Sequence, residues 1–271
     1  MNNLDTLIEN GLVVTENEIG HLNIGIKDGK IAYLGDENLN AEFKINASDL
    51  IVLPGGIDPH VHVDQPSGDD VIMADNFQSA TKSAAAGGNT TILPFAMQIK
   101  GQSLRKCVED YHKKAQGNMY IDTSFHLIIS DPTPQVLGQE LPALSKDGYT
   151  SFKVFMTYDD LVLNDKELIE VFDVAKQLKT LVMVHAEGYD SIKYLSDKFE
   201  KEGKTAPYYH APTRPQIVER EATHRAISHA QIVDIPLMIV HVSGEEALNQ
   251  IRWAKDKGCL LYTSPSPRDT D

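Results

Sequence analysis

Cysteine is scarce, with only Cys107 and Cys259 among 271 residues. Two thiols are too few for a disulfide framework and lack the paired spacing of a metal site, which favours a reducing compartment. Basic residues are also in deficit: 25 Lys plus Arg stand against 39 Asp plus Glu, a formal charge of −14. A field of that sign repels phosphate backbones and anionic lipid, so no nucleic acid is expected as a partner. Long apolar runs are missing as well. The longest are strand length, far below the roughly 20 residues that span a bilayer, so no membrane is expected either. The opening MNNLDTLIEN carries acids where a secretory signal carries Lys or Arg, and the expectation is a soluble, cytoplasmic protein. What remains is ordinary: 41% hydrophobic and 24% charged residues exclude disordered, collagenous and low-complexity chains.

Two patterns divide the chain. Residues 1–52 hold short β-prone pieces, and Asp28-Gly29 between alternating apolar residues predicts a hairpin, so this part reads as a small all-β unit. From Ile51 onward, strand candidates alternate with helix-period segments, the signature of βα units around a parallel sheet. The strands are IVLPGGIDPHVHV, NTTILPF, YIDTSFHLIIS, SFKVFMTY, TLVMVHAE and PLMIVHVS. Helices are expected near 73–86, 102–117, 134–147, 165–179, 189–203, 215–231 and 245–257. About six βα units over 53–258 suggest an α/β barrel more than an open sheet, although a complete barrel needs eight. The stretch 259–271, GCLLYTSPSPRDTD after its glycine, breaks the pattern and reads as a disordered end or as residues foreign to the protein.

Four histidines stand where chemistry collects in such sheets. His60 and His62 are two apart on a predicted strand, so both rings point to one face. Alone, such a pair arises by chance in many proteins. Gly55-Gly56 and Pro59 beside it, however, let the chain leave the strand early and allow a ligand close to the backbone. His185 and His241 each end a short apolar run at the C-terminal end of a parallel strand, the active-site end. A single histidine there is often a hydrogen-bonded rim residue, but four on three strands without a metal would leave ring nitrogens unsatisfied. Lys153 interrupts the apolar strand SFKVFMTY. Either it snorkels to the barrel mouth, or its depressed pKa lets it add carbon dioxide and become a carbamate with two oxygens able to bridge metals. His60, His62, Lys153, His185 and His241 together would form a binuclear site suited to zinc. Asp58 and Asp64 read as supporting groups, His126 as a satisfied core or rim residue, and His210, His224 and His229 as surface.

GGIDPHVHVD, GYTSFKVFMTY, VHAEG and VHVS, in this order and on these strands, resemble the dihydropyrimidinase and hydantoinase branch of the amidohydrolase superfamily. MADNFQSATKSAAAGGNTT and YYHAPTRPQIVEREA extend the resemblance to about Gly258. It implies a (β/α)8 metal-dependent hydrolase barrel with a small β-sandwich portion, two Zn2+ per subunit, a homotetramer and reversible opening of a cyclic amide or ureide. His60 and His62 would hold the first zinc and His185 and His241 the second, bridged by N6-carboxylated Lys153. Two zincs about 3.5 to 4 Å apart lower the pKa of a bridging water toward about 7, giving hydroxide as nucleophile. Tyr158 matches the family tyrosine that donates to the developing oxyanion, a catalytic role.

The implied substrate is a dihydropyrimidine ring, 5,6-dihydrouracil or dihydrothymine, opened to an N-carbamoyl-β-amino acid. Hydantoinase or allantoinase is the same-class alternative, and a non-catalytic dihydropyrimidinase-related scaffold is the different-class one. The family pattern continues with two more strands, the eighth supplying a metal-binding aspartate that this sequence does not carry. The polypeptide as written is therefore expected to be inactive and poorly folded, because an open barrel leaves sheet edges exposed.

Overall fold

In the computed structural model, which describes residues 4–67 and 71–263, the alternating apolar residues of the first fifty positions form one five-stranded sheet. Its strands are β1 (Leu4–Val14), β2 (Ile19–Lys27), β3 (Lys30–Gly35), β4 (Ala41–Asn46) and β5 (Ile51–Val52). β1 pairs antiparallel with β2 and parallel with β4 and β5. The β2–β3 hairpin turns at Asp28 and Gly29, both with positive φ (50° and 69°), the conformation that the Asp-Gly pair predicts.

The chain divides into two units between Gly56 and Ile57. The second unit runs β6 (Gly56–Val61), α1 (Phe77–Ala86), β7 (Asn89–Met97), α2 (Leu104–Ala115), β8 (Asp122–Thr123) and β9 (His126–Ile128). It continues through α3 (Leu141–Lys146), β10 (Ser151–Phe155), α4 (Asp165–Leu178), β11 (Leu181–His185) and α5 (Tyr189–Lys201). It ends in α6 (Gln216–Val233), β12 (Leu237–Ile239), α7 (Glu245–Asp256) and β13 (Leu261–Thr263). The strand order is β13-β12-β11-β10-β9-β7-β6, with β8 beside β7. Pairs from β7 through β13 are parallel. Strand, helix and the next parallel strand repeat around a curled sheet, which makes this unit a partial (β/α) barrel.

Local chemistry explains where the helices begin. Asn76 and Asn164 each close a capping box, with Ser79 and Glu167 returning the hydrogen bond. The segment expected at 134–147 is instead a π-helical turn, Val136–Glu140, running into α3. The expected strand YIDTSFHLIIS is broken into β8 and β9. Leu261–Thr263 pairs with β12, and residues 264–271 of the expected tail lie outside the described residues.

Strand periodicity sorts the side chains into two layers. Phe152, Val154, Val182, Val184, Leu237 and Ile239 join the helix-side core with Phe172 and Ile227. The intervening residues Phe95, Ile128, Phe155, Met183 and Val240 form a separate inner cluster. Lys153 lies between Phe152 and Val154, so the same alternation turns it to the inner side, in register with Ile128 and Met183. No described helix is long and apolar enough to cross a membrane.

Candidate metal centre

The C-terminal ends of the parallel strands carry the chemistry. His60 lies at the end of β6, with His62 one residue beyond it. His185 ends β11, and His241 follows β12 by two residues. Their rings form a chain: His62 to His60 is 5.5 Å between centroids, His60 to His241 is 5.6 Å, and His241 to His185 is 4.5 Å. Phe95 underlies one end, 4.8 Å from His60 and stacked at 5.0 Å on His62. Phe155 stacks on His185 at 5.3 Å. The Lys153 ammonium sits over both phenyl rings, 5.2 Å from Phe95 and 5.1 Å from Phe155. Tyr158 joins at the rim, its ring 5.1 Å from His185. The structure thus gathers His60, His62, Lys153, His185, His241 and Tyr158 in one place.

Electrostatics keep the cluster poor in protons. Lys153 is only 1% exposed, and burial lowers its pKa to about 7. Among the described residues no acid pairs with it and no hydrogen bond satisfies it; the aromatic faces are its visible partners. Loss of hydration, then repulsion from Lys153 and the neighbouring rings, lowers His60 to about 4. Loss of hydration followed by repulsion from His185, Lys153 and His60 lowers His241 to about 3. Both rings are therefore neutral at physiological pH. In metal-free protein their ring resonances are expected not to titrate between about pH 8 and about pH 5, where an ordinary histidine would. A midpoint near 6.5 in an NMR titration would contradict the assignment.

Several supporting groups were not legible in the sequence. Glu187 Oε2 lies 2.8 Å from His185 Nε2, and Gln65 Oε1 lies 2.8 Å from His62 Nδ1. Glu219 on α6 accepts the backbone N–H groups of Ser243 and Gly244 at 2.8 and 2.7 Å, holding the loop that follows His241. His241 and Tyr158 adopt positive φ (39° and 73°), strained for bulky residues and of the kind found at functional sites. Asp58 accepts from the His60 backbone N–H at 3.0 Å, and Asp64 pairs with Lys114 at 3.2 Å. His126 is buried with both ring nitrogens engaged, by Ser151 Oγ and the Pro59 carbonyl, leaving no lone pair for a metal. His210 and His224 are exposed, but His229, read as surface, has a side chain only 12% exposed and 3.2 Å from Asp165. Position 229 falls where α6 packs against α4.

The donor chemistry fits a borderline divalent cation: imidazoles, of which His60 and His241 are held neutral, near a lysine able to lose its proton. The arrangement is not closed, since among the described residues no three His, Cys, Asp or Glu side chains converge to hold an ion. Beside His185 and His241 opens a cavity of about 630 Å³, also lined by Glu187, Arg214 and Glu219. That volume is within the range of small-molecule sites.

Comparison with known proteins supports the same region. The model of the amidohydrolase family matches residues 51–214. The chain is 46% identical over 256 residues to a D-hydantoinase of Ralstonia pickettii, covering 94% of this chain and 56% of that one. It is 36% identical over 268 residues to the dihydropyrimidinase of Rattus norvegicus, covering 96% of this chain and 51% of the relative. A solved D-hydantoinase structure superposes with a TM-score of 0.93 at 45% identity, covering 96% of this chain and 57% of that chain. The chain spans about half the length of the curated relatives it matches. With its strand-end histidines and its partial barrel, the chain belongs to the amidohydrolase family, in the hydantoinase and dihydropyrimidinase group.

Proposed function

We propose that the protein hydrolyses the ring amide of a cyclic ureide, with a dihydropyrimidine as substrate, in a zinc-dependent reaction. The observation that carries this reading is the chain of four histidine rings at the strand ends, packed on the same two phenylalanines that the buried Lys153 ammonium faces. His60 and His62 would hold one zinc and His185 and His241 a second, with carboxylated Lys153 between them. Bound zinc would supply Lewis acidity toward the ring carbonyl and a lowered pKa for water.

The remaining steps fall to the chain's own side chains. A lysine titrating near 7 exists partly as free amine at neutral pH, and that amine can form an N–C bond to carbon dioxide with release of one proton. The resulting carbamate turns a buried cation into an anion with two acceptor oxygens. Burial, together with the charge of Glu187, holds the Tyr158 phenol above its ordinary pKa, so it keeps its proton and can donate to the oxygen of the attacked carbonyl. Glu187 and Glu219 steady the two strand ends that carry His185 and His241. Water adds across the ring C–N bond, its oxygen bonding to the carbonyl carbon and a proton passing to the departing nitrogen, which leaves a carbamoyl amino acid. The higher identity to D-hydantoinases, 46% against 36% for a dihydropyrimidinase, favours a five-membered hydantoin ring as a second reading.

The test is zinc stoichiometry by elemental analysis, combined with loss of ring absorbance for dihydrouracil and for a 5-substituted hydantoin. About two zincs per subunit of a chain completed to the length of its relatives, with hydrolysis of either ring by that zinc-loaded protein, is the expected result. Absence of zinc binding would overturn the enzyme reading and favour a non-catalytic scaffold.

A further inference from the structure

We infer that Gln65 is a positioning residue that sets the tautomer of His62 and so decides which of its nitrogens faces a metal. The inference rests on the reading of His62 as a ligand. Gln65 follows His62 by three residues in the loop after β6. That loop is anchored, because Lys114 Nζ reaches both the backbone carbonyl of Asp64, at 2.5 Å, and its side chain, at 3.2 Å.

The Gln65 amide is fixed at both ends. Its Nε2 donates to the Phe95 carbonyl at 3.2 Å, and its Oε1 lies 2.8 Å from His62 Nδ1. A backbone carbonyl only accepts, so the Phe95 contact dictates which end of the amide turns toward the imidazole. The end that does is an oxygen, which also only accepts, so Nδ1 of His62 must carry the hydrogen. In the neutral ring the lone pair is then on Nε2. Stacking on Phe95, with 21° between the planes, fixes the ring plane, and Gln65 chooses between its two flips.

The neighbouring ligand candidate shows the reverse arrangement. The Glu187 carboxyl, held below its ordinary pKa chiefly by its hydrogen bond to His185, accepts from Nε2 and leaves Nδ1 of His185 free. His126 shows the third case, with both nitrogens engaged and none left to offer. The three rings thus differ in what they offer because each meets different acceptors.

The experiment uses the full chain labelled with 15N-histidine, metal-free and at alkaline pH, with long-range 1H–15N correlations reporting which ring nitrogen is protonated. The His62 signal is assigned by its loss in His62→Asn. Wild type is expected to show His62 protonated at Nδ1. Gln65→Leu, which offers no acceptor, is expected to shift the ring toward the Nε2–H form, and Gln65→Glu, which keeps an oxygen facing Nδ1, to retain the wild-type form. Zinc titration is expected to show affinity about 10–100-fold weaker in Gln65→Leu, the usual loss when a group orienting a ligand is removed. An Nε2–H tautomer in wild type, or an unchanged spectrum in Gln65→Leu, overturns the role of Gln65. So does unchanged zinc affinity in the face of a changed tautomer. A wild-type chain that binds no zinc overturns the ligand reading itself, and the spectra, read without metal, keep that failure separate.

Discussion

Replacing Lys153 by methionine is expected to stabilise the metal-free chain at neutral pH and to remove part of its stability change between neutral and alkaline pH. Lys153 is 1% exposed, and its pKa falls from 10.5 to about 7 because burial penalises the ammonium. A lowered lysine pKa means that the unfolded chain holds this proton more tightly than the folded one. Below about pH 7 both states are protonated and the folded chain carries the whole penalty, on the order of 4–5 kcal/mol. Between about pH 7 and about pH 10.5 only the unfolded state binds the proton, so folded stability rises with pH until the penalty is gone. Methionine has a similar length and no charge, and replacing buried charge by apolar volume commonly stabilises. Urea unfolding should show Lys153→Met more stable than wild type by roughly 2–4 kcal/mol near neutrality, after allowing for imperfect packing, with the gap closing toward about pH 10. Equal stabilities at both pH values would mean that the ammonium is solvated or paired. Other lysines and tyrosines titrate in both proteins and cancel in the difference.

The same residue shows why parts of this site are legible in sequence and others are not. A lysine inside SFKVFMTY violates the apolar pattern of a buried strand, and a violation of that kind is visible without any partner. His185 and His241 are visible because each ends a short apolar run, and His60 and His62 because two residues apart on a strand put both rings on one face. Gln65, Glu187 and Glu219 break no pattern. They are polar residues in loops or at a helix start, and only the folding of β7 against β6, or α6 against the β12 end, shows what they touch. His229 illustrates the opposite error. The buried face of α6 is built largely from Ala222, Thr223, Ala226 and Ala230, small residues that do not mark an apolar stripe strongly enough to show which flank is covered. At the level of architecture, the βα alternation is read from local periodicity, while the splitting of one expected strand into β8 and β9 depends on their pairing with β7, a nonlocal fact.

Zinc uptake should depend on bicarbonate through Lys153 alone. In the absence of carbon dioxide the centre presents four imidazoles and a lysine whose protonated form repels a cation. Conversion of the amine to a carbamate replaces that repulsion with two anionic oxygens among the phenylalanines on which the rings stack. With bicarbonate near pH 8, where the amine is mostly free, the wild-type chain is expected to bind about two zincs. Stripped of carbon dioxide, it should bind them more weakly and with visible competition from protons. Lys153→Met should lose more than about 100-fold in affinity, beyond what loss of an orienting group costs, and should not respond to bicarbonate. Lys153→Glu carries a fixed carboxylate at the same position. It should bind more tightly than Lys153→Met and be equally indifferent to bicarbonate. Competition against a chromophoric chelator, with and without bicarbonate, separates these outcomes. If wild type and Lys153→Met bind alike under both conditions, the histidines hold zinc without the lysine and the bridging role is wrong. If only wild type responds, the buried position that destabilises the metal-free chain is the one that makes the lysine reactive, because the burial that penalises the ammonium also releases the amine at neutral pH.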